Sequence, residues 1–590
     1  MGGRPTKSTT FLIPAIMAAA LTTACVSASG ETPMINTLVA DSAGTAGAGT
    51  PRQVGQSRLG NYLAGRHAQQ KNDFSAAADL LGRALTLDPG DDQLRRRAFL
   101  AQLSEGRMKD AIALARSVGD GDDISPIAQL AVAVEHIKTG NLAAAKAELE
   151  KFPERGFSGF MKPLLLGWVM AGQGRGADAL AALEPLKRQS GLRVLYELHA
   201  ALIADLVGKP QEAMAHFSSA AKTGQRATLR VVQGLGRHYE LNGEPEKAKA
   251  LYESYLGENP DSVVLQPALE RIAAGRKPVA LVASAAEGVA EALFNIASTM
   301  TRENSAQLAL IYGRLAIYLR PDFDLAQMLV AGILESMDRY ENAIDTYSDI
   351  DRTSPLYWSA QLRVAGNLEA LERDEAATAL LGRLATDFPD RPESLISLGD
   401  IHRSNKKYLE SVAAYDRALR VIGEIEPRHW SLLYSRGISL ERSNQWPRAE
   451  QDFRKALELN PEQPYVLNYL GYSWVDQGLN LAEARKMIER AVELRPDDGY
   501  IVDSLGWVLY RLNDFPGAVK QLERAVELRS QDPTINDHLG DAYWRVGRQN
   551  EARFQWRRAL TLKPEPEAIP EIEKKLLRGL DAVKATGRDS

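Results

Sequence analysis

One short pattern, written four times between Arg428 and Pro564, limits the possible folds of this protein more than anything else in it. Glycines fall at Gly437, Gly471, Gly506 and Gly540. Alanines fall at Ala449, Ala484, Ala518 and Ala552, and again at Ala456, Ala491, Ala525 and Ala559, every member 34 or 35 residues from the last. Pro461, Pro496 and Pro564 close three copies, and Ser530 stands where the fourth proline would be. Each copy has room for two helices of about a dozen residues and a tight turn. In the last copy Leu539, Gly540, Tyr543 and Trp544 share one helical face. Gly540 and Ala552 carry almost no side chain, so the two backbones can approach closely where they cross. Gly547 allows the left-handed end of the first helix, and Pro564 stops the second. One such hairpin cannot cover its own apolar face, so the copies must stack.

Several positions repeated in phase at this period resemble the tetratricopeptide repeat (TPR). The resemblance implies an all-α fold: a TPR helical-hairpin solenoid, a right-handed superhelix, with a C-terminal capping helix. Other copies read less cleanly. Gly65, Ala77, Ala84 and Pro89 form one, and Gly236, Tyr239, Gly243, Ala248 and Pro260 another. Phase is lost between 261 and 286, where Gly275-Arg276-Lys277-Pro278 breaks the pattern, and returns with Ala297, Ala309, Ala316 and Pro321. The expected organisation is an N-terminal array over 58–260, an irregular joint over 261–286, a C-terminal array over 287–564, and a capping helix and tail over 565–590. In the last segment Ile569, Ile572, Leu576 and Leu577 supply the apolar positions.

The first residues point to export. Arg4 and Lys7 precede an apolar run from Phe11 to Leu21, then Thr22-Thr23-Ala24-Cys25. A basic start, a short apolar core and small residues before a cut site form a secretory signal, expected over 1–24. A cysteine directly after the small residues resembles a bacterial lipobox, with Leu21 one place further upstream than usual. That resemblance implies lipidation at Cys25, a flexible tether over 25–57 rich in Ala, Gly, Ser and Thr, and a lipoprotein of the outer membrane facing the periplasm. The alternative is an ordinary secretory signal cut near Ala24, giving a soluble periplasmic protein.

Composition removes several classes. Cys25 is the one cysteine, which excludes intramolecular disulfides and Cys-rich zinc sites. The eight histidines are scattered with no H-E-x-x-H pair, and no phosphate-cradling G-x-x-x-x-G-K-[ST] loop occurs. A net charge of −5 gives no basic face for nucleic acid. The protein reads as a non-enzyme with no cofactor, and its partners as proteins.

A solenoid of this class binds on its concave face, lined by the first helix of each hairpin. By the TPR pattern the lining of the last three copies is Tyr465, Asn468, Tyr472, Tyr500, Asp503, Trp507, Tyr510, Arg511, Asp537, Trp544 and Arg545. Large rings with interspersed amides and charges suit an extended peptide; the alternative is that some of them pack between adjacent repeats. The run from Tyr465 to Trp474, its successor from Asp498 to Trp507 and the run from Ile535 to Trp544, with the lipobox, resemble the large TPR lipoproteins of Gram-negative bacteria. One class of these binds a periplasmic carboxyl-terminal processing protease. That resemblance implies an adaptor that docks or activates such a protease and presents cell-wall hydrolases to it. The alternative is an assembly scaffold for an outer-membrane or envelope complex.

Overall fold

The computed structural model describes residues 57–118, 125–154, 158–189, 191–223, 226–260, 262–301 and 305–580. The signal, Cys25 and the tether therefore lie outside the described residues. Within them are thirty α-helices, and all but Gln266–Ala273 and Ile569–Arg578 pair into fourteen antiparallel hairpins, which stack in sequence order before the joint and again after it as a TPR-like superhelix. No described helix is long and apolar enough to cross a membrane.

The pairing within a hairpin has one recurring physical basis. A Cβ placed at Gly437, Gly471, Gly506 or Gly540 would come within 2.5 to 2.8 Å of Phe453, Ile488, Leu522 or Trp556 respectively. Each glycine is a notch in the first helix that receives a large side chain from the second. Those four large residues are fully buried, as are Ala449, Ala484, Ala518 and Ala552 beside them. The turn between paired helices carries a left-handed residue at the same spacing. It is Gly106, Gly140, Gly174, Gly208 and Gly243 in the early repeats, and Asn444, Gly478, Asn513 and Gly547 in the late ones. In the middle it is Asp338, Glu372 and Lys406, residue types that enter this region at a cost of about 1–2 kcal/mol. Aspartates begin several helices: Asp498, Asp514 and Asp532 each accept backbone N–H bonds at an N-terminus.

The joint does more than interrupt the stack. After Gln266–Ala273 the backbone runs without helix to Ser284, and the next hairpin (Ala285–Met300 with Ala306–Leu319) folds back onto the earlier ones. Ala285–Met300 lies against Ser158–Gly172 and Arg193–Leu206, and Ala306–Leu319 against Asp92–Glu105 and Ser125–Lys138. The approach is close enough that Gly288 has room for no side chain, because the fully buried indole of Trp168 rests on it.

Polar groups fix the register of this docking. Glu291 is fully buried and accepts from Arg230 Nε at 2.8 Å, from Arg230 Nη2, and from Asn295 Nδ2 at 3.0 Å. Burial alone would raise the Glu291 carboxyl, but Arg230, with His199 and Asn295, outweighs it and holds the group below the usual carboxylate range. His199, pushed down to about 4 by burial, accepts from Trp168 Nε1 at 3.0 Å through Nδ1. At the other edge Tyr318 donates to Glu135 at 2.6 Å, Lys138 Nζ lies 3.8 Å from the centre of the Tyr318 ring, and Arg339 reaches Asp73 at 3.2 Å.

The last helix departs from its apolar reading. Ile572 is buried as the pattern expects, but Leu577 stands 80% exposed. The second buried position belongs to Lys575, whose ammonium meets Asp537 at 2.8 Å and Asp541 at 2.9 Å. An apolar reading passes over a lysine because it cannot see the two carboxylates waiting beneath it.

At an open helical site a glycine-to-alanine change stabilises by about 1 kcal/mol. Gly288→Ala is expected to do the reverse, because its methyl overlaps the Trp168 ring. Glu291→Ala is expected to cost about 3–5 kcal/mol by leaving Arg230 buried without its acid. Calorimetry should show both as lowered Tm, and limited proteolysis should cut faster within residues 274–284. A Gly288→Ala protein that melts at or above wild type with unchanged cleavage would contradict the docking.

Candidate functional site

First helices of successive hairpins touch one another, as Pro464–Gln477 touches Gly499–Arg511 and Gly499–Arg511 touches Pro533–Arg545. Second helices pack on their own partners and on the first helix of the next hairpin. The face lined by first helices is therefore the inner one. In the N-terminal array that face is covered from Asp92–Glu105 to Arg193–Leu206. Val134, Trp168 and Leu202 recur at 34-residue intervals on three first helices, and all are buried beneath the docked hairpin. The groove where an array of this kind would take a ligand is filled by the protein's own helix.

The C-terminal array is lined differently. Tyr465 and Tyr500 stand at its rim, 39% and 47% exposed, with the guanidinium carbons of Arg495 and Arg529 at 5.7 and 5.3 Å from their ring centres. Each is an aromatic face presented with a cation beside it. Arg511 is also exposed and reaches back to Asp476, 3.8 Å away. Asn468 is half-buried, and its Oδ1 has no hydrogen-bond partner among the described residues. Tyr472 is half-buried, its phenol pushed up by burial and by the nearby Asp503 and Asp476.

Deeper in the face the expected lining residues engage one another. Trp507 is stacked between Tyr510 (ring centres 4.9 Å apart, planes at 8°) and His538 (4.2 Å, 18°). Tyr510 accepts from Arg545 Nε at 3.3 Å and meets the edge of Phe515 at 5.5 Å. Asp503 is buried, and its two oxygens lie 3.0 and 3.1 Å from His538 Nδ1. Asp537 is held by Lys575, and Trp544 packs on Trp556 and against Gly579. Two of the expected contact residues thus need correction. Asp503 and Asp537 are not open carboxylates, because His538 and Lys575 take them up within the fold.

His538 and Lys575 are the residues that sequence reasoning missed. His538 follows Asp537, and its partner Asp503 lies 35 residues upstream, so the repeat register carries a signal for the pair. Lys575 lies beyond the last repeat and has none. Among the described residues no group of three or more His, Cys, Asp or Glu side chains is arranged to hold a metal ion, and no catalytic domain accompanies the hairpins.

Comparison with known proteins places the repeats in a familiar class. A family described as tetratricopeptide repeat matches residues 62–123, 368–423 and 434–501, and one described as TPR repeat matches 506–547. A TPR repeat-containing protein of Pseudomonas aeruginosa is 25% identical over 189 residues, covering 32% of this sequence and 31% of that protein. Tetratricopeptide repeat protein 13 of Homo sapiens is 27% identical over 158 residues, 26% of this sequence and 18% of the relative. The matched part spans less than a third of the length of these curated relatives. Among solved structures, the APC/C hetero-tetramer Cut9–Hcn1 aligns over 89% of this protein and 96% of its own length at 15% identity, with a TM-score of 0.37. Yeast Tom70 aligns over 90% and 97% at 13% identity, with a TM-score of 0.28.

Burial works against a charged His538, but Asp503, with Asp537 and Asp541 behind it, outweighs burial and holds the imidazole above its ordinary pKa. A histidine raised in the folded state lends stability that is complete below its unfolded pKa and is lost as pH rises through the folded value. The Tm of wild type is therefore expected to fall more steeply than that of His538→Gln as pH rises above the ordinary histidine value of about 6.5. Parallel pH profiles for the two proteins would remove the charged pair from the account.

Proposed function

We propose that this tetratricopeptide-repeat protein, a scaffold for protein–protein interaction, works as a non-catalytic adaptor lipoprotein at the periplasmic face of the outer membrane. There it docks a carboxyl-terminal processing protease and brings substrates to it, cell-wall hydrolases among them. The observation that carries this reading is the division of labour along the solenoid. The docked hairpin fills the inner face of the early repeats and locks them into a block. The late repeats keep their aromatic rim open. An adaptor needs two surfaces that do not compete for one partner, and a closed block beside an open array supplies them. The export signal, Cys25 and the resemblance of the runs ending at Trp474, Trp507 and Trp544 support the compartment and the partner class.

The rim rings are the anchors to test, because tyrosines with large exposed area and an adjacent cation are the residue types that dominate binding energy. Tyr465→Ala with Tyr500→Ala leaves the Trp507–His538–Asp503 network intact, so Tm should stay within about 1–2 °C of wild type. Crosslinked envelopes from cells carrying the full-length lipidated protein would be pulled down and read by mass spectrometry. A serine processing protease and cell-wall hydrolases should be recovered with wild type, and at least tenfold less of one class with the double variant. Deletion of the gene should slow hydrolase turnover. A stoichiometric envelope complex without a protease, with hydrolase turnover unchanged, would replace the adaptor by an assembly scaffold.

A further inference from the structure

The copy that precedes the four regular ones breaks their rhythm. Gly399 and Gly437 stand 38 residues apart, against 34 or 35 at each later step. After the second helix Tyr408–Ile422, seven residues pass before the next first helix begins at Trp430, whereas the three following connections take four each. Beside this long connection lies a hollow of about 270 Å³, lined by Ala385, Pro389, Leu395, Arg417, Arg420 and Val421. Ala385, Arg417, Arg420 and Val421 belong to the last turns of two second helices, Asp374–Asp387 and Tyr408–Ile422. The hollow is therefore no part of the inner face, which first helices line.

Its floor is apolar and its wall is cationic. Ala385 and Leu395 are buried and Val421 is half-buried, while Arg417 and Arg420 are exposed, one turn apart on the same helix. Aligned on Ala418, Ala456, Ala491, Ala525 and Ala559, the place of Arg417 is taken in the later copies by Lys455, Arg490, Arg524 and Arg558. Each of those cations has a partner. Lys455 meets Glu458 at 2.8 Å and Arg490 meets Glu493 at 2.7 Å. Arg524 donates to Pro496 O at 2.6 Å, and Arg558 to Ser530 O at 3.0 Å. In the irregular copy the place of Glu458 and Glu493 is held by Arg420, so a second cation stands where the acid should be. Neither Arg417 nor Arg420 forms a hydrogen bond or ion pair with any described residue. Asp390 occupies the place from which Glu462 reaches Arg490, yet pairs with neither arginine. The other charges nearby are engaged: Arg391 lies 4.6 Å from the centre of the Trp358 ring, and Glu426 of the long connection meets Arg428 at 3.0 Å.

Exposed charges alone contribute little to binding, so the apolar floor has to supply the burial. The hollow is smaller than the roughly 300–1,000 Å³ of a small-molecule pocket, a size that suits a single anchoring side chain. We propose that it docks an acidic segment of a protein partner. One Leu- or Phe-sized side chain enters between Ala385, Leu395 and Val421, and flanking carboxylates meet Arg417 and Arg420. The copy that lacks an internal acid is completed by one from outside. This site rests on the protein-binding reading above but not on the protease or on the rim tyrosines, so the pull-down can fail while it stands.

The test uses the full-length protein and synthetic nonapeptides with acetylated and amidated ends, which carry no terminal carboxylate. Each has a central Leu or Phe, an Asp or Glu on either side of it, and random residues elsewhere. The library would be selected on wild type and counter-selected on Arg417→Gln/Arg420→Gln. Selected peptides should bind that variant about tenfold more weakly or worse, as expected for the loss of one or two charge-assisted bonds. Changing their central residue to Ser should weaken them by a similar factor, and so should Val421→Trp, which fills the hollow and leaves both charges. Tyr465→Ala/Tyr500→Ala should bind them as wild type does. The proposal is overturned if no peptide discriminates against the arginine variant, or if the central residue or Val421→Trp makes no difference. It is equally overturned if binding is lost with the rim tyrosines, which would move the peptide to the inner face. Vesicles of anionic phospholipid that bind wild type but not the arginine variant, with no peptide doing so, would assign the patch to a membrane surface instead. A fall of several degrees in the Tm of Arg417→Gln/Arg420→Gln would give the arginines an internal structural role and end the proposal.

Discussion

The contact between a glycine notch in one helix and a large side chain from its partner sets the geometry of the four late hairpins, and recurs at Gly65, Gly167, Gly236 and Gly399. Phe453 over Gly437 and Trp556 over Gly540 differ greatly in volume, yet occupy equivalent places. Close approach of the backbones is what recurs, and the filler varies around it. Helix crossings fixed in this way leave each hairpin with one face satisfied and another bare. The bare face has to meet a neighbour, so the stack propagates until something else covers it. Two covers are present, and they use different chemistry.

At the C-terminal end the cover is the helix Ile569–Arg578, held by Ile572 and by Lys575 between two aspartates. In the N-terminal half the inner face is covered by the hairpin that follows the joint. There the small residues of Ala285–Met300 allow close approach, while Glu291 and Arg230 make one register far better than its alternatives. A buried ion pair adds little net stability over an apolar contact of the same shape, but breaking half of it is expensive. Its effect is to penalise misdocking of a helix whose alanine-rich surface would otherwise slide.

The same logic governs which residues remain for partners. In the late repeats, side chains that face inward are drawn together wherever a neighbouring repeat offers a complement: Asp503 with His538, Trp507 between Tyr510 and His538, Asp537 with Lys575. The residues left over sit at the rim, as Tyr465 and Tyr500 do. Binding capacity in this solenoid is what internal packing does not consume.

The hairpins were legible in the sequence because each depends on positions inside one 34-residue copy: Gly540 against its own second helix, Gly547 at its own turn, Pro564 beyond its own second helix. The turns at Glu372 and Lys406 were not marked by residue type, since the surrounding helices impose a left-handed conformation that those side chains do not favour. The expected lining positions fall on the helices Pro464–Gln477, Gly499–Arg511 and Pro533–Arg545, but periodicity ranks Tyr500, Asp503 and Trp507 alike and cannot tell an exposed ring from a paired carboxylate. Sequence by itself determined that this protein is a stack of helical hairpins, because short-range spacing fixes local crossings. Only the tertiary structure decided that the early groove is closed by the protein's own hairpin and that Asp537 belongs to Lys575. Those outcomes depend on contacts between segments that share no period, such as Trp168 with Gly288 and Arg230 with Glu291, and no local pattern encodes which distant surface will arrive.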